Sequence, residues 1–503
     1  MLLTRIAETS QEVAATRSRK AKVAALASIL SEVDVDDLEI VVAYLGGSLL
    51  QRRTGVGWRG IGSPPPPADH PGLTVAEVHA AFDHLAGLSG TGSQATRKAA
   101  VQDLLGRATA DEQAWLRGVI TGNVRQGALD ALVQEGLAAA SGSSLKAVRR
   151  AAMLAGGTVP IARAAFGGEE ALAEIGLEVG RPVLPMLASS APDVSAAMAK
   201  AGGLVSIDTK LDGIRIQVHK DGDDVVVATR SLDIITERLP EVVEVVRALP
   251  ASRLVLDGEA LALAEDGRPR PFQETASRTA MESGVQVTPY FFDLLHLDGT
   301  NLLDRPGTER WAALADLVPA EHRTPSVTTS DPAEAEEFVR RALDLGHEGV
   351  VVKSVTAPYD AGRRGSAWVK VKPVHTLDLV VLAVEWGSGR REGWLSNIHL
   401  GARADDGDGF VMLGKTFKGM TDDMLAWQTE RFTELALEPS DIKAHYVVPV
   451  RPEQVVEIAL DGIQRSTRYP GGIALRFARV VRYRDDKSPA EADTLAMVKE
   501  MFG

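Results

Sequence analysis

The stretch Ser206-Ile-Asp-Thr-Lys-Leu-Asp-Gly-Ile-Arg215 is the point around which the chain is organised. If its first six residues form a strand, the two-residue period places Asp208 and Lys210 on one face, before a turn at Asp212 and Gly213. An amine then lies beside carboxylates at the end of a strand. Lysine can be a covalent nucleophile, but with an ordinary pKa of about 10.4 only roughly one molecule in 2,500 is neutral at pH 7. We therefore expect cationic neighbours that favour the neutral amine.

Taken alone, this stretch is also typical of a hairpin turn flanked by surface charges. Asp-Gly recurs at residues 221–222, 257–258, 266–267 and 298–299, where it indicates ordinary turns. The functional interpretation therefore depends on the rest of the chain.

The composition limits what the whole chain can be. A length of 503 residues predicts about three domains. The net charge of -13 disfavours nonspecific polyanion binding by the whole molecule, so nucleic-acid contacts must come from local basic patches. The absence of cysteine excludes disulfides, cysteine zinc sites and thiol chemistry. The apolar run 23–30 is short and leads into acidic residues, so we expect a cytoplasmic protein without an export signal or membrane span.

Residues 1–177 predict an all-α N-terminal domain. Apolar residues recur at helical spacing, as at Val75, Val78, Phe82 and Leu85, and a proline-rich loop interrupts the pattern at residues 60–72. Several cations fall near helix ends and are either solvated helix surface or DNA contacts. They are Arg97, Lys98, Arg117, Arg125, Lys146, Arg149 and Arg150.

Residues 178–373 predict an α+β domain that follows a linker at 180–186. Runs of Val, Ile and Thr alternate with polar residues, and helical segments interrupt them irregularly. Strands are expected at 214–219, 224–230, 253–264, 287–295 and 349–354, and helices at 194–201, 235–249 and 332–345.

Two strands of this domain carry carboxylates and an aromatic group that can serve Lys210. Asp257 and Glu259 share a strand face, an arrangement suited to binding a hydroxyl group or Mg²⁺. Phe292 can stack on a base, although packing in the core is the commoner role of such a residue.

Charged residues bracket two further strands. Glu348 and Lys353 lie at either end of an apolar run. Strand alternation places Lys370 and Lys372 on one side, where they either bind phosphate or protect an exposed edge.

Residues 374–503 predict a small β-barrel of the OB type, built from short strands with one helix at 422–435. Residues 476–487 carry five cations and two anions, which makes a local positive patch on an acidic protein. Residues 409–416 match the Walker A spacing, but their centre is an apolar run after an Asp-Gly turn. This segment is better interpreted as a barrel strand than as a phosphate-binding loop.

These motifs, in this order, resemble those of the covalent nucleotidyltransferases, most closely the ATP-dependent DNA ligases. The resemblance spans roughly residues 206–487, and the helical first third is similar to the DNA-binding domain of the larger ligases. The motifs that carry it are Lys210-x-Asp-Gly-x-Arg215, Arg230, Glu259, Phe292, Glu348-Gly-x-x-x-Lys353, Trp368-x-Lys370-x-Lys372 and the segment 476–487.

The resemblance implies a role for each matching residue. Lys210 attacks the α-phosphorus of ATP to give a lysyl-AMP, which is passed to a 5′-phosphate of nicked duplex DNA before a 3′-hydroxyl seals the nick. Mg²⁺ neutralises charge in these phosphoryl transfers. The implied nucleotide contacts are Asp208 and Phe292 for adenine, Arg215, Arg230 and Glu259 for the ribose and phosphate, and Arg364, Lys370 and Lys372 for the α-phosphate. Glu259 and Glu348 are the implied metal ligands. The arginines of 476–484, Arg476 and Arg479 among them, are implied to orient the pyrophosphate leaving group when the barrel closes.

Three alternatives remain at this point. An RNA ligase or an mRNA capping guanylyltransferase would share the lysine chemistry. A DNA-binding module with an OB fold would need no lysine adduct, and a P-loop ATPase would depend on Lys415 instead. The interpretation we adopt is a monomeric, cytoplasmic DNA ligase that uses ATP and Mg²⁺ and does not bind membranes.

Overall fold

The computed structural model describes residues 1–51, 53–124, 126–127, 130–278, 284–360, 364–407, 409–438 and 442–501. Along these residues the chain is first helical, then mixed, and finally rich in strands. This order confirms the predicted multidomain fold class.

The N-terminal region consists of helices packed around one apolar core. The four apolar residues whose spacing predicted a helix at 75–85 are all fully buried. Thr74 begins that helix through a reciprocal capping box with Glu77. The helices are α1 Leu3–Ala15, α2 Arg19–Ser31, α3 Leu38–Leu45, α4 Trp58–Ile61, α5 Val75–Gly87, α6 Ser93–Gly106, α7 Ala110–Ile120, α8 Asp130–Ser141, α9 Leu145–Leu154, α10 Ala162–Phe166 and α11 Glu169–Ala173.

The central region contains two sheets with helices packed against them, as expected of an α+β fold. The strands are β1 Leu187–Ser190, β2 Val205–Lys210, β3 Ile214–Asp221, β4 Asp224–Thr229, β5 Arg253–Leu261, β6 Thr288–Leu297, β7 Thr300–Asn301, β8 Ser326–Thr329, β9 Gly349–Ser354 and β10 Arg364–Val371. The helices are α12 Val194–Ala201, α13 Pro240–Arg247, α14 Phe272–Ser277, α15 Gly307–Leu317 and α16 Pro332–Asp344. One sheet has the order β1-β10-β9-β2-β8 and the other β4-β3-β5-β6-β7.

The chain crosses from one sheet to the other between Lys210, the last residue of β2, and Ile214, the first residue of β3. Gly213 in this connection has no room for a side chain, because a Cβ atom there would lie 2.3 Å from the carbonyl oxygen of Ala260. Glycine therefore allows β3 to approach β5 closely. The crossing leaves Lys210 at the junction of the two sheets.

The helix expected at 235–249 is shorter than predicted. A 3₁₀ turn at Thr236–Arg238 precedes α13, which begins at Pro240. Proline has no backbone N–H group to donate and a fixed φ, so it is favoured in the first turn of a helix.

The C-terminal region has a six-stranded antiparallel sheet and a two-stranded hairpin, which confirms its predicted all-β class. The strands are β11 His375–Trp386, β12 Leu395–Arg403, β13 Phe410–Thr416, β14 Val447–Pro449, β15 Val455–Leu460, β16 Gly462–Arg465, β17 Ile473–Arg476 and β18 Arg479–Tyr483, with α17 Asp422–Leu435 and α18 Leu495–Glu500. The main sheet has the order β13-β12-β11-β15-β18, with β14 paired to β11. Residues of the sheet and of α17 share one apolar core.

The segment with Walker A spacing lies in β13, which pairs with β12 along its length. Its backbone groups are therefore engaged in a sheet, as the sequence predicted, and Lys415 forms an ion pair with Glu385. In the part of the chain that the structure describes, none of the helices has the length and apolar character needed to cross a bilayer.

Candidate active site

A cavity of about 740 Å³ opens where the two central sheets meet the β16–β17 hairpin. Both sheets and the C-terminal region contribute to its wall. Among the lining residues are Asp208, Lys210, Arg215, Arg230, Glu259, Phe292, Glu348, Lys370, Lys372, Arg476 and Arg479. The structure thus brings these sequence-predicted site residues together.

Lys210 lies at the edge of this cavity in direct contact with Glu348. The two residues are neighbours because Lys210 of β2 pairs with Gly349 of β9, which places the preceding glutamate beside the lysine. The Lys210 Nζ donates to one carboxylate oxygen of Glu348, and the Nζ of Lys372 donates to the other. Burial works to raise the pKa of Glu348, but the two ammonium groups outweigh it and hold that pKa below its ordinary value.

Lys370 and Lys372 line the same cavity as Lys210, as expected, but the group that Lys210 itself contacts is a carboxylate. The Lys210 side chain donates to this carboxylate, and the nearby cation, Lys372, is bound to the same carboxylate. Antiparallel pairing of β2 with β9 is the reason, and that pairing is a tertiary feature.

The wall of the cavity includes a buried ion pair between Asp208 and Lys353, at 2.5 Å. Lys353 is 2% exposed and also donates to the carbonyl oxygen of Phe292 at 3.2 Å. Its Nζ lies 4.7 Å from the Phe292 ring centroid and 4.5 Å from that of Trp368. Burial raises the pKa of the Asp208 carboxyl group above its ordinary value, although Lys353 opposes this shift.

Lys353 was not predicted as a site residue. The sequence placed it at the end of an apolar strand, where a lysine is ordinarily exposed. A signal was nevertheless present, because strand alternation puts Lys353 on the face of β9 opposite the apolar residues 350 and 352, which pack in the core.

Arg215 is held by Asp257 rather than pointing freely into the cavity. Its Nε and Nη2 donate to the two carboxylate oxygens of Asp257 at 3.1 and 2.8 Å, and its Nη1 donates to the carbonyl oxygen of Met186 at 2.8 Å. Tyr359 donates to the same Asp257 carboxylate at 2.7 Å. The sequence named Asp257 as a neighbour of Glu259 but gave no indication of Tyr359.

Glu259 lies two residues beyond Asp257 on the same strand and accepts from the backbone N–H group of Gly213 at 3.3 Å. Burial raises the pKa of Glu259 to about 7, against the lowering effects of Lys210 and Arg215. Glu259 therefore changes its charge near neutral pH. Arg230, just beyond the end of β4, is an exposed lining residue.

Strand β10 supplies a further cation to the cavity wall. Lys370 lines it on the same side of the strand as Lys372, as the alternation predicted. The backbone of Arg364 begins β10, but its side chain lies outside the described part of the chain, so the prediction for Arg364 remains open.

The C-terminal region closes the cavity through ion pairs with the central region. The Nη1 of Arg476 lies 2.9 Å from an Asp212 carboxylate oxygen, and its guanidinium carbon lies 5.3 Å from the Phe272 ring centroid. Asp461 contacts Lys372 at 3.6 Å and Arg479 at 3.3 Å. Acidic partners therefore hold these cations at the mouth of the cavity.

The two remaining arginines of the predicted patch, which were also expected to contact pyrophosphate, have partners away from the cavity. Arg482 pairs with Glu457 at 2.7 Å, and Arg484 pairs with Asp378 at 3.1 Å. Both ion pairs lie within the C-terminal region, so the positive patch divides into a half that faces the cavity and a half that stabilises the sheet.

A lysine at the junction of two sheets, in a cavity lined with arginines, lysines and carboxylates and closed by an all-β region, defines a nucleotidyltransferase. Three family descriptions match the chain: "DNA ligase N terminus" over residues 59–138, "ATP dependent DNA ligase domain" over 185–372 and "ATP dependent DNA ligase C terminal region" over 391–487. The chain belongs to the family of ATP-dependent DNA ligases.

Relatives and solved structures agree with this assignment. A "Probable DNA ligase" of Nocardioides sp. is 69% identical over 100% of this chain and 99% of its own length. One of Kineococcus radiotolerans is 63% identical over 99% of both chains. The solved structure "Pmar-Lig_PreS3" shares the fold with a TM-score of 0.62 at 19% identity, over 95% of this chain and 99% of its own.

Proposed function

We propose that Lys210 is the residue that carries AMP in this ligase. The observation that carries the proposal is the position of its Nζ, at a sheet junction inside a cavity where Glu348, Lys372 and Arg476 meet. Attack by a neutral Nζ on the α-phosphorus of ATP forms a P–N bond, breaks the bond to the bridging oxygen and releases pyrophosphate. Positioned cations stabilise the charge that develops in such in-line transfers.

Glu348 holds the side chain of Lys210 through a hydrogen bond until the nucleotide arrives. The Lys210 Nζ cannot donate to this carboxylate and attack phosphorus at the same time, so the contact must break before the attack. Lys372, which shares the same carboxylate, can turn to phosphate oxygens at that moment.

A magnesium ion fits the donor set of the cavity. Mg²⁺ binds proteins through one or two carboxylates and takes its other ligands from water and phosphate. Glu259 and Glu348 both line the cavity and would hold the ion there. When bound, Mg²⁺ neutralises charge on the phosphates undergoing transfer.

The other predicted residues fall into two groups around the nucleotide. Asp208 and Phe292, beside Lys353, form the end of the cavity suited to adenine, since it combines aromatic faces with a buried polar pair. The second group is suited to the ribose and the phosphates and comprises Arg215, Arg230, Glu259, Arg364, Lys370, Lys372, Arg476 and Arg479.

We propose that residues 1–177 form a DNA-binding domain, 178–373 the adenylation domain and 374–503 the OB-fold domain. In the helical region Lys98 and Lys146 are exposed and available to phosphates. Arg149 and Arg150 instead pair with Glu135 and Asp304. We propose a monomer that works in the cytoplasm, where ATP and DNA meet.

The decisive experiment is mass spectrometry of the intact enzyme after incubation with ATP and Mg²⁺. We expect an AMP-sized increment that maps to Lys210, that Lys210→Ala abolishes, and that GTP does not replace. Lys415→Ala is the matched control, because Lys415 pairs with Glu385 within the C-terminal sheet and its loss should leave the adduct intact. An adduct on another lysine would overturn the proposal.

A second experiment tests the role of the helical region. Replacing Lys98 and Lys146 together by alanine should weaken binding to nicked DNA and lower the salt slope of the affinity by about one for each phosphate that is no longer neutralised. Unchanged affinity and slope would contradict the proposed DNA contact.

A further inference from the structure

One face of β3 binds the backbone of the segment that joins the helical region to the central region. The segment, residues 180–186, has no regular secondary structure and contains two prolines. Alternate residues of β3 share a face, and three of them, Arg215, Gln217 and His219, point at this segment. Each contacts a different place along it.

The contacts run in register. The Nδ1 of His219 accepts from the N–H group of Gly180 at 3.0 Å. The side-chain amide of Gln217 accepts from the N–H group of Val183 at 2.8 Å and donates to the carbonyl oxygen of Val183 at 3.2 Å. Arg215 donates to the carbonyl oxygen of Met186 at 2.8 Å.

These bonds also fix the form of the two inner side chains. Because His219 accepts at Nδ1, its proton is on Nε2, which donates to the Gln217 oxygen at 2.9 Å. Gln217 and His219 are 4% and 1% exposed, so water does not replace a lost bond readily. Burial, and then the nearby His296, lowers the pKa of His219 to about 4, which keeps the ring neutral at working pH.

The opposite side of the segment belongs to the helical region. The N–H group of Leu184 donates to the carbonyl oxygen of Met153, the penultimate residue of α9, at 2.9 Å. Met153 and Leu154 pack in one apolar cluster with Val183 and Met186. The N–H groups of Arg181 and Met186 are bound by Glu178 and Tyr359. Every N–H group from residue 180 to 186 thus has a partner, since the prolines have none to satisfy.

We infer that Gln217 and His219 are positioning residues that fix the helical region against the catalytic cavity, and that the DNA-dependent steps of ligation require them. This inference rests on the proposed DNA contact of the helical region. Formation of lysyl-AMP uses only the cavity and the C-terminal region, so it does not depend on where the helical region sits. Binding of nicked DNA does, because the duplex must meet both regions at once.

The test compares His219→Leu with His219→Asn in the full-length enzyme. Leucine removes the acceptor for Gly180, whereas the side-chain oxygen of asparagine can occupy the place of Nδ1. For leucine we expect the KM for nicked DNA to rise about tenfold or more, with the rate of AMP-adduct formation within about twofold of wild type. Asparagine should restore most of the KM, and Gln217→Leu should behave as His219→Leu does.

Val227→Ala is the control for a general loss of stability. It removes buried apolar atoms from the neighbouring strand β4 but does not change the contacts to residues 180–186. Val227→Ala should affect adduct formation and nick sealing equally, or leave both unchanged. The inference is overturned if His219→Leu leaves the KM unchanged while the variant lacking Lys98 and Lys146 raises it. It is also overturned if His219→Leu slows adduct formation as much as sealing. If neither variant affects DNA binding, the proposed role of the helical region fails as well.

Discussion

The buried pair of Asp208 and Lys353 allows a quantitative prediction for the replacement Asp208→Asn. The side chains are nearly isosteric, so the change removes the charge of the acceptor and little else. Lys353 is then left as a buried ammonium group, 2% exposed, without its ionic partner. Breaking a buried pair in this way destabilises a protein by about 3–5 kcal/mol, because the remaining charge is uncompensated.

The remaining contacts of Lys353 place the expected loss at the lower end of that range. Its Nζ keeps the carbonyl oxygen of Phe292 at 3.2 Å and three aromatic rings, whose centroids lie 4.5, 4.7 and 5.6 Å away. Cation–π contacts of a desolvated ammonium contribute about 2 kcal/mol, so we expect a net loss of about 3 kcal/mol. This corresponds to roughly a hundredfold loss of protection of the local amides.

Hydrogen exchange followed by mass spectrometry measures this loss locally, which matters because a chain of three regions need not unfold in one step. Peptides covering β2 and β9 should lose protection, whereas those of α17 in the C-terminal region should not. Adding Lys353→Met to the Asp208→Asn variant removes the unpaired buried charge and should recover most of the protection from exchange. If Asp208→Asn alone exchanges as slowly as wild type, or if the second change restores nothing, the reasoning is refuted.

Four further predictions concern the charged groups in and around the cavity. The pKa of Glu259 is about 7 in the folded state and 4.5 ordinarily, so the wild type should lose stability as pH rises from about 4.5 to 7, by at most about 3 kcal/mol. In urea titrations, the stability of Glu259→Gln should not show this dependence on pH. Arg476→Ala should slow adduct formation on Lys210 by about tenfold to a hundredfold in rapid-quench assays. An unchanged rate would show that Arg476 has no role in forming the adduct. Asp212→Asn should loosen the same mouth and raise the accessibility of Lys210 to amine-reactive reagents. Lys415→Ala should consume ATP at a rate within about twofold of wild type, because a P-loop mechanism, which would depend on this lysine, is not used.

The sequence was sufficient where the physics is local. Alternation predicted strands β2 and β10, an apolar run predicted β9, and helical spacing predicted α5, because each of these patterns is a property of a single element. The apolar run at the centre of the segment 409–416 also argued against a phosphate-binding loop there, although the spacing matched one. The order of the charged motifs identified Lys210 and most of the cavity lining.

Only the tertiary structure decided which of these groups touch. Pairing of β2 with β9 brought Glu348 rather than a cation into contact with Lys210. The fold also buried Asp208 against Lys353, which lies 145 positions away in the sequence. The division of the arginines in 476–484 between the cavity and the sheet, and the contacts of β3 with residues 180–186, are likewise long-range. The energy of a buried charge or hydrogen bond depends on its surroundings, and those are set by packing between segments that the sequence places far apart.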